Sequence, residues 1–324
     1  MPTIAVTGDH FHYPQQEYFC LLTKAGYEVR FVDPVKHDLT KPDVLLAQLE
    51  GCDAVMCSTE PYPADLLNQC SVRVLSRLGV GFDSIDLQAA TANNIVVCRT
   101  PGVLHESAAE QTLAFLFAIS RNVIERDRQV RAGLWKRICW PRLAGQTLGL
   151  LGLGLIGRSV AMKALALGMK VIAYDPVAAP HEGIELVTLD RLWSQADIVS
   201  LHAPCTPETA NIINHVTLQR MKRGVILINT SRGGLVDEGA LAEALQSGQV
   251  LAAGLDVFHD EPPRADNPLL KLDNVVLAPH MAGMDLESER AMATMSAENI
   301  MALHRGEWPT AHIVNPDVQP TWKW

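Results

Sequence analysis

Short apolar runs rich in β-branched residues recur along this chain, each separated from the next by a longer stretch with helical spacing of its apolar positions. In the first hundred residues the runs are TIAVTG (3 to 8), EVRFVD (28 to 33), DAVMCS (53 to 58), VRVLSRLG (72 to 79) and IVVCRT (95 to 100). Strand-length runs alternating with helices are the pattern of a parallel sheet with crossover connections. The spacing then predicts one long helix over ESAAEQTLAFLFAISRNVIERDRQV (106 to 130), amphipathic only in its second half and placed to bridge two domains. A second series of strands follows: TLGLLGLG (147 to 154), KVIAYD (170 to 175), DIVSLHA (197 to 203), GVILINT (224 to 230), VLAAGLDVF (250 to 258) and NVVLAP (274 to 279). The fold class is therefore α/β, with two doubly wound parallel-sheet domains. Asp285 stands where it can N-cap a last helix over residues 286 to 304, ahead of the tail GEWPTAHIVNPDV.

Composition narrows this picture. A chain of 324 residues exceeds the usual single core, so two domains are expected, with a ligand cleft between them. A net charge of -9 argues against nucleic acid or an anionic membrane as partner and favours a small metabolite. The N-terminus has no basic region followed by an apolar stretch, and no run approaches about 18 apolar residues, so a cytoplasmic, soluble protein is expected. Cys20, Cys52, Cys57, Cys70, Cys98, Cys139 and Cys205 are odd in number and lack a CxxC pair, which favours reduced thiols. His10 and His12 have no third ligand near them and read as loop histidines; no metal is expected.

GLGLIG places Gly152, Gly154 and Gly157 after an apolar strand and at the start of a helix. There the first glycine permits the turn, the second admits a pyrophosphate, and the third lets helix and strand approach. The helix N-terminus adds unpaired N–H groups and a positive dipole. The next strand ends in Asp175, 18 residues after Gly157, where a carboxylate can accept both ribose hydroxyls and repel a 2'-phosphate. NAD is thus favoured over NADP, although a strand-end Asp can also simply cap a turn.

Three later strand ends carry ionisable residues: Arg232 in NTSRGGLVDEGAL, Asp256 and Glu261 in GLDVFHDEPP, and His280 in APHMAG. Ligands of doubly wound sheets sit outside the carboxyl ends of the strands, so the topology gathers these residues at one crevice. Reducing a 2-oxo acid requires a clamp on the substrate carboxylate and an acid for the oxygen that becomes alkoxide. Arg232 can form the bidentate clamp. An imidazole suits the proton transfer in both directions, and a carboxylate such as Glu261 bonded to His280 would favour its protonated form and fix its orientation. Taken singly, each has a bland reading as a loop charge or core histidine.

With these residues in view, the chain resembles the D-isomer-specific 2-hydroxyacid dehydrogenase family, most closely its phosphoglycerate-dehydrogenase-like branch. The segments that carry the resemblance are SRLGVGFDSIDL, TPGVLHESAAEQT, GQTLGLLGLGLIG, LHAPCTPETANII, LINTSRGGLVDEGAL, GLDVFHDEP and LAPHMAG, in family order from about residue 50 to 316. The resemblance implies a Rossmann NAD-binding domain (102–284) inserted into a flavodoxin-like substrate domain (1–101 and 285–324). It implies Arg232, Glu261 and His280 as the catalytic set. Nucleotide contacts fall on Leu155 and Ile156, Asp175, Thr112, Pro204 and Thr209, Thr230 and Ser231, Asp256 near the nicotinamide amide, and Gly283, with Arg232 and His280 also against the cofactor. It places the substrate carboxylate on the backbone N–H groups of Val80 and Gly81, and it implies a homodimer formed through the long helix and the nucleotide domain.

Some positions depart from that branch. Cys57 and Ser58 stand where phosphoglycerate dehydrogenases carry a phosphate-binding arginine, which weakens 3-phosphoglycerate as substrate and leaves glyoxylate- or hydroxypyruvate-like acids beside it. Glutamate at 261 speaks against the formate dehydrogenase branch. Trp135 and Trp140 read either as core aromatics or as side chains reaching a substrate pocket across the dimer. Two other function classes share parts of these motifs: a non-catalytic NADH-sensing interaction protein of corepressor type, and a methyltransferase that would have no use for the Arg, Glu and His set.

Overall fold

The computed structural model describes residues 1–8, 11 and 16–324 of the chain. His10 and His12 lie outside the described residues. The polypeptide divides into two compact units, Met1–Leu104 with Asp285–Trp324, and His105–Met284.

The first unit is built on parallel strands β1 (Thr3–Val6), β2 (Glu28–Phe31), β3 (Ala54–Cys57), β4 (Val74–Arg77) and β5 (Val96–Cys98), in the order β2-β1-β3-β4-β5. Strands β1, β3 and β5 are buried along their whole length, which is why their sequences are continuous apolar runs, whereas edge strand β2 leaves Glu28 exposed. Leu45, Leu49, Tyr62, Leu66, Leu75 and Ile95 share one core on this sheet. The helix Leu286–His304 belongs to the same unit: Ser76 of β4 and Ser296 of the helix each donate a hydroxyl to the other's carbonyl, at 3.0 and 3.1 Å. Asp285 caps that helix by accepting the Ser288 N–H at 2.7 Å. The tail then returns beside β5, where Val314 N–H donates to Val97 O and Val97 N–H to Asn315 Oδ1, both at 2.8 Å.

The second unit holds β6 (Thr147–Leu151), β7 (Lys170–Tyr174), β8 (Ile184–Leu186), β9 (Ile198–Leu201), β10 (Val225–Asn229), β11 (Val250–Leu255) and β12 (Val275–Leu277). All pair in parallel in the order β12-β11-β10-β9-β6-β7-β8, so the chain reverses direction across the sheet between β6 and β9. Such a reversal is where a doubly wound sheet opens a ligand crevice. Two expectations are corrected here. The predicted single helix over 106 to 130 is two helices, His105–Ser120 and Val123–Arg131, because Asn122 takes a left-handed conformation (φ 49°) that asparagine tolerates better than most residues. The first helix buries Ala109, Phe115, Leu116 and Ile119 in a core, while the second buries nothing. Strand β8 was not anticipated: it is a three-residue edge strand in which only Ile184 is buried, too short for any periodic signal. No helix among the described residues is long and apolar enough to cross a membrane.

Candidate active site

The glycine turn follows β6. Gly152 has φ +98°, and a Cβ there would lie 2.5 Å from the His202 carbonyl oxygen; a Cβ on Gly157 would lie 2.3 Å from the Gly152 oxygen. The protein's own packing therefore demands the first and third glycines. Gly154 differs: nothing lies within 4 Å of the position its Cβ would take, it is exposed, and it precedes the helix Leu155–Ala166. First-turn N–H groups of that helix, those of Leu155 and Ile156 among them, have no acceptor within it, so an open, side-chain-free cradle faces a helix N-terminus. These residues fit the pyrophosphate of a dinucleotide.

Asp175, just past β7, accepts N–H bonds from Leu153 at 2.8 Å, Val177 at 2.9 Å and Ala178 at 3.0 Å. Burial alone would raise its pKa, but these three bonds and the nearby Arg158 charge outweigh it and hold the carboxyl below its ordinary value. The residue caps its own turn and, through Leu153, fixes the glycine turn. A carboxylate offers about four lone-pair sites, so capacity for a ribose hydroxyl remains.

Beyond β9, the His202 backbone lies against the glycine turn. The residue is half-buried, but its Nδ1 is enclosed without a hydrogen-bond partner among the described residues, and its Nε2 lies 2.9 Å from Ser200 Oγ. Burial lowers its pKa to about 4. Thr209 donates its hydroxyl to the Pro204 carbonyl at 2.7 Å and accepts the Thr206 N–H at 2.7 Å, which shapes the loop carrying exposed Pro204.

At the end of β10 the buried Asn229 ties the loop: its Oδ1 accepts the Ser231 N–H at 3.0 Å and hydroxyl at 2.9 Å, and its Nδ2 donates to the Arg232 carbonyl at 2.8 Å. Thr230 is braced from behind by the fully buried Thr112, their hydroxyls 3.0 Å apart. A Cβ on Gly233 would stand 1.9 Å from the Phe258 carbonyl, so this glycine lets the Arg232 loop lie directly on the loop after β11. Glu238 holds that second loop by accepting the His259 N–H at 2.8 Å and the Asn267 amide at 2.6 Å.

On this base Glu261 and His280 meet. His280 Nδ1 lies 2.6 Å from Glu261 Oε2, and Glu261 Oε1 accepts the Phe258 N–H at 3.0 Å. Burial would raise the Glu261 pKa, but the bond to His280, its charge, the Phe258 N–H and the Arg232 charge together bring it below the ordinary value. Its carboxylate thus senses both other members of the set. His280 has a left-handed backbone, φ 52°, a costly conformation for a side-chain-bearing residue. Asp256 supports it: its carbonyl accepts the His280 N–H at 2.7 Å, and its carboxylate takes the Met281 and Ala282 N–H groups at 2.9 and 2.7 Å. Asp256 is fully buried, and burial raises its pKa despite those two bonds. Its side chain holds the histidine loop, in which half-buried Gly283 follows Ala282.

The second unit therefore brings together Arg232, Glu261 and His280, and separately the glycine turn with Asp175. Val80 and Gly81 belong to the first unit, in the turn that begins at Gly79, whose N–H donates to Thr100 Oγ1 at 3.0 Å while Thr100 N–H donates to the Gly79 carbonyl at 2.9 Å. Trp135 is 82% exposed in an irregular segment, which corrects its reading as a core aromatic; Trp140 is half-buried. His202, Asn229, Glu238 and Arg158 escaped the sequence reading. Only His202 left a trace there, as a polar residue closing an apolar strand.

Residues 113–282 match the family model described as D-isomer specific 2-hydroxyacid dehydrogenase, NAD binding domain. Over 287 residues the chain is 44% identical to a glyoxylate reductase of Korarchaeum cryptofilum, covering 85% of this chain and 86% of that protein. It is 43% identical over 307 residues to a D-3-phosphoglycerate dehydrogenase of Mycobacterium leprae, which covers 90% of this chain but only 57% of the relative. A solved D-lactate dehydrogenase from Aquifex aeolicus, complexed with NAD and lactic acid, superposes with a TM-score of 0.84 at 28% identity, covering 96% of this chain and 99% of that one.

Proposed function

The chain belongs to the D-isomer-specific 2-hydroxyacid dehydrogenase family, an NAD-dependent class of oxidoreductases, and from that premise we propose that His280, Glu261 and Arg232 interconvert a D-2-hydroxy acid and its 2-oxo acid. The observation that supports this most is the 2.6 Å His280–Glu261 contact beside the Arg232 charge. The glycine turn and Asp175 would hold NAD, which when bound would supply or accept the hydride. With Nδ1 turned to Glu261, Nε2 of His280 is the nitrogen that exchanges a proton with the substrate oxygen. Glu261 orients the imidazole and stabilises its charge when that proton is held. Arg232 binds the substrate carboxylate and polarises the adjacent carbonyl; the family resemblance assigns the carboxylate also to the N–H groups of Val80 and Gly81 in the first unit.

The substrate is a small 2-oxo acid, either glyoxylate- or hydroxypyruvate-like or phosphoglycerate-like. The working form is a cytoplasmic homodimer. Support for the dimer comes from Val123, Ile124 and Val130 on the second helix and Leu134, Trp135 and Ile138 beyond it, apolar side chains all close to half exposed or more. Mixing the protein with NADH and glyoxylate, hydroxypyruvate, pyruvate, 2-oxoglutarate or phosphohydroxypyruvate tests the reading. Loss of the NADH absorbance with at least one is expected, and none with all five would refute it.

A further inference from the structure

The first sheet has a reversal of its own, between β1 and β3. At its carboxyl edge stand Thr7, after β1, and the loop of residues 58 to 61, after β3. Glu60 fills the space between them at 7% exposure. Its Oε1 accepts the hydroxyls of Thr7 and of Tyr62, the latter at 2.9 Å, and the Ser58 N–H lies 3.1 Å from both carboxylate oxygens. Among the described residues Oε2 has only that shared N–H. Among the described residues no Arg, Lys or His forms an ion pair with Glu60. Its charge is nonetheless felt around it: burial first, and then Glu60, pushes the Tyr62 phenol well above its ordinary value. Arg77, across from Cys57 in the sheet, points its guanidinium at the Leu78 carbonyl, 2.8 Å away, and lies against Gly79.

The loop that carries Glu60 runs beside the loop that carries Val80 and Gly81. Cys57 pairs with Arg77 where the two loops begin, and Tyr62 pairs with Ile85 where they end, with Tyr62 N–H donating to the Ser84 carbonyl at 2.7 Å. We infer that Glu60 selects the substituent on the third carbon of the substrate, accepting a hydroxyl there and rejecting a second anionic group. The inference rests on the proposed function above, in which Val80 and Gly81 receive the substrate carboxylate. The Glu60 charge acts on the Cys57 thiol as well as on the Tyr62 phenol, and in a weakly screening environment a phosphate or carboxylate brought beside it meets repulsion that a hydroxyl does not. A hydroxyl can instead donate to the under-used Oε2. Selection by a repelled competitor as well as a favoured donor is how small sites separate similar ligands. The substrate class is then a 2-oxo acid with hydrogen or a neutral hydroxyl beyond the carbonyl, not one with a distal phosphate.

The test compares kcat/KM for hydroxypyruvate and phosphohydroxypyruvate, each normalised to glyoxylate, which has no third carbon. The wild type should favour hydroxypyruvate. Glu60→Gln should move the ratio toward the phosphorylated acid by about tenfold or more, while Glu60→Asp, which keeps the charge, should stay within about threefold of wild type. A merely structural glutamate would lower all three substrates by one factor and leave the ratio unmoved, which overturns the inference. Should Glu60→Gln not fold, the wild-type order decides: hydroxypyruvate ahead supports it, phosphohydroxypyruvate ahead overturns it. Activity with an unmoved ratio removes this inference alone, whereas inactivity with every 2-oxo acid removes the reading of the site as well.

Discussion

At the carboxyl edge of the second sheet, Asn229, Asp256 and Asp175 each accept or donate two or three bonds to loop backbone, and Glu238 accepts one from backbone and one from the Asn267 side chain. They hold Arg232, Glu261 and His280 in one set. At the carboxyl edge of the first sheet, Glu60 is held by two hydroxyls and one N–H, and Gly79 shares two bonds with Thr100. Both edges belong to parallel sheets with a reversal in strand order, yet the second carries a braced set of charges and the first a turn and one buried carboxylate. Architecture alone does not distinguish the two edges; the density of side-chain bonds to their loops does. Transition-state stabilisation needs groups fixed before the reaction, and the proposed assignment puts them at the more tightly braced edge.

The sharpest way to break this comparison is to remove the proton carrier. His280→Ala should lower kcat by about 10²- to 10⁴-fold while NADH affinity changes little. His280→Asn, which tolerates the left-handed backbone, should lose as much, and a large recovery with Asn would show that backbone strain and not the imidazole had been lost. The next effect is on stability. In the unfolded chain His202 takes up a proton below its ordinary 6.5, but in the folded second unit not until about 4. Between those values the unfolded state holds more protons, so stability falls as pH falls, by on the order of 3 kcal/mol in full. Urea unfolding at about pH 7 and about pH 4.5 should therefore show an acid loss that shrinks in His202→Asn. An identical acid loss in the variant would place the sensitivity elsewhere.

Much of both sheets was legible because strands buried on both faces must be continuous apolar runs, and ten of the strands lie within segments that pattern marked, with β12 also falling inside its run. Strand β8 was not, since three residues with one buried side chain leave no period. The break at Asn122 was hidden for a related reason: the apolar residues 123, 124 and 130 continue a helical spacing but cover no core. Arg232, Glu261 and His280 could be read because strand ends converge in this topology. Asn229 and Glu238 could not, and Asp256 was legible as a nucleotide contact but not as the support of the histidine loop, because all three act through bonds to backbone that only folding brings near. Nothing in the sequence marks Glu60; its burial at 7% exposure does.

Two smaller effects sharpen the contrast between the units. Asp175→Ala should weaken NADH binding by about tenfold with little change in kcat, since the residue fixes the glycine turn and touches none of Arg232, Glu261 or His280. The relative use of NADPH should rise in the same variant, because the negative charge proposed to face the 2'-position is gone. Asp285→Ala acts on the other unit. It removes the acceptor of the Ser288 N–H at the start of a helix that packs on β4, which should cost about 1 kcal/mol in urea unfolding. NADH affinity measured by fluorescence titration should stay within about twofold of wild type, because the lost bond lies in the unit that does not hold the glycine turn. A drop in NADH affinity as large as that of Asp175→Ala would mean that the helix cap and the nucleotide turn are coupled, and that the two edges cannot be treated as separately built.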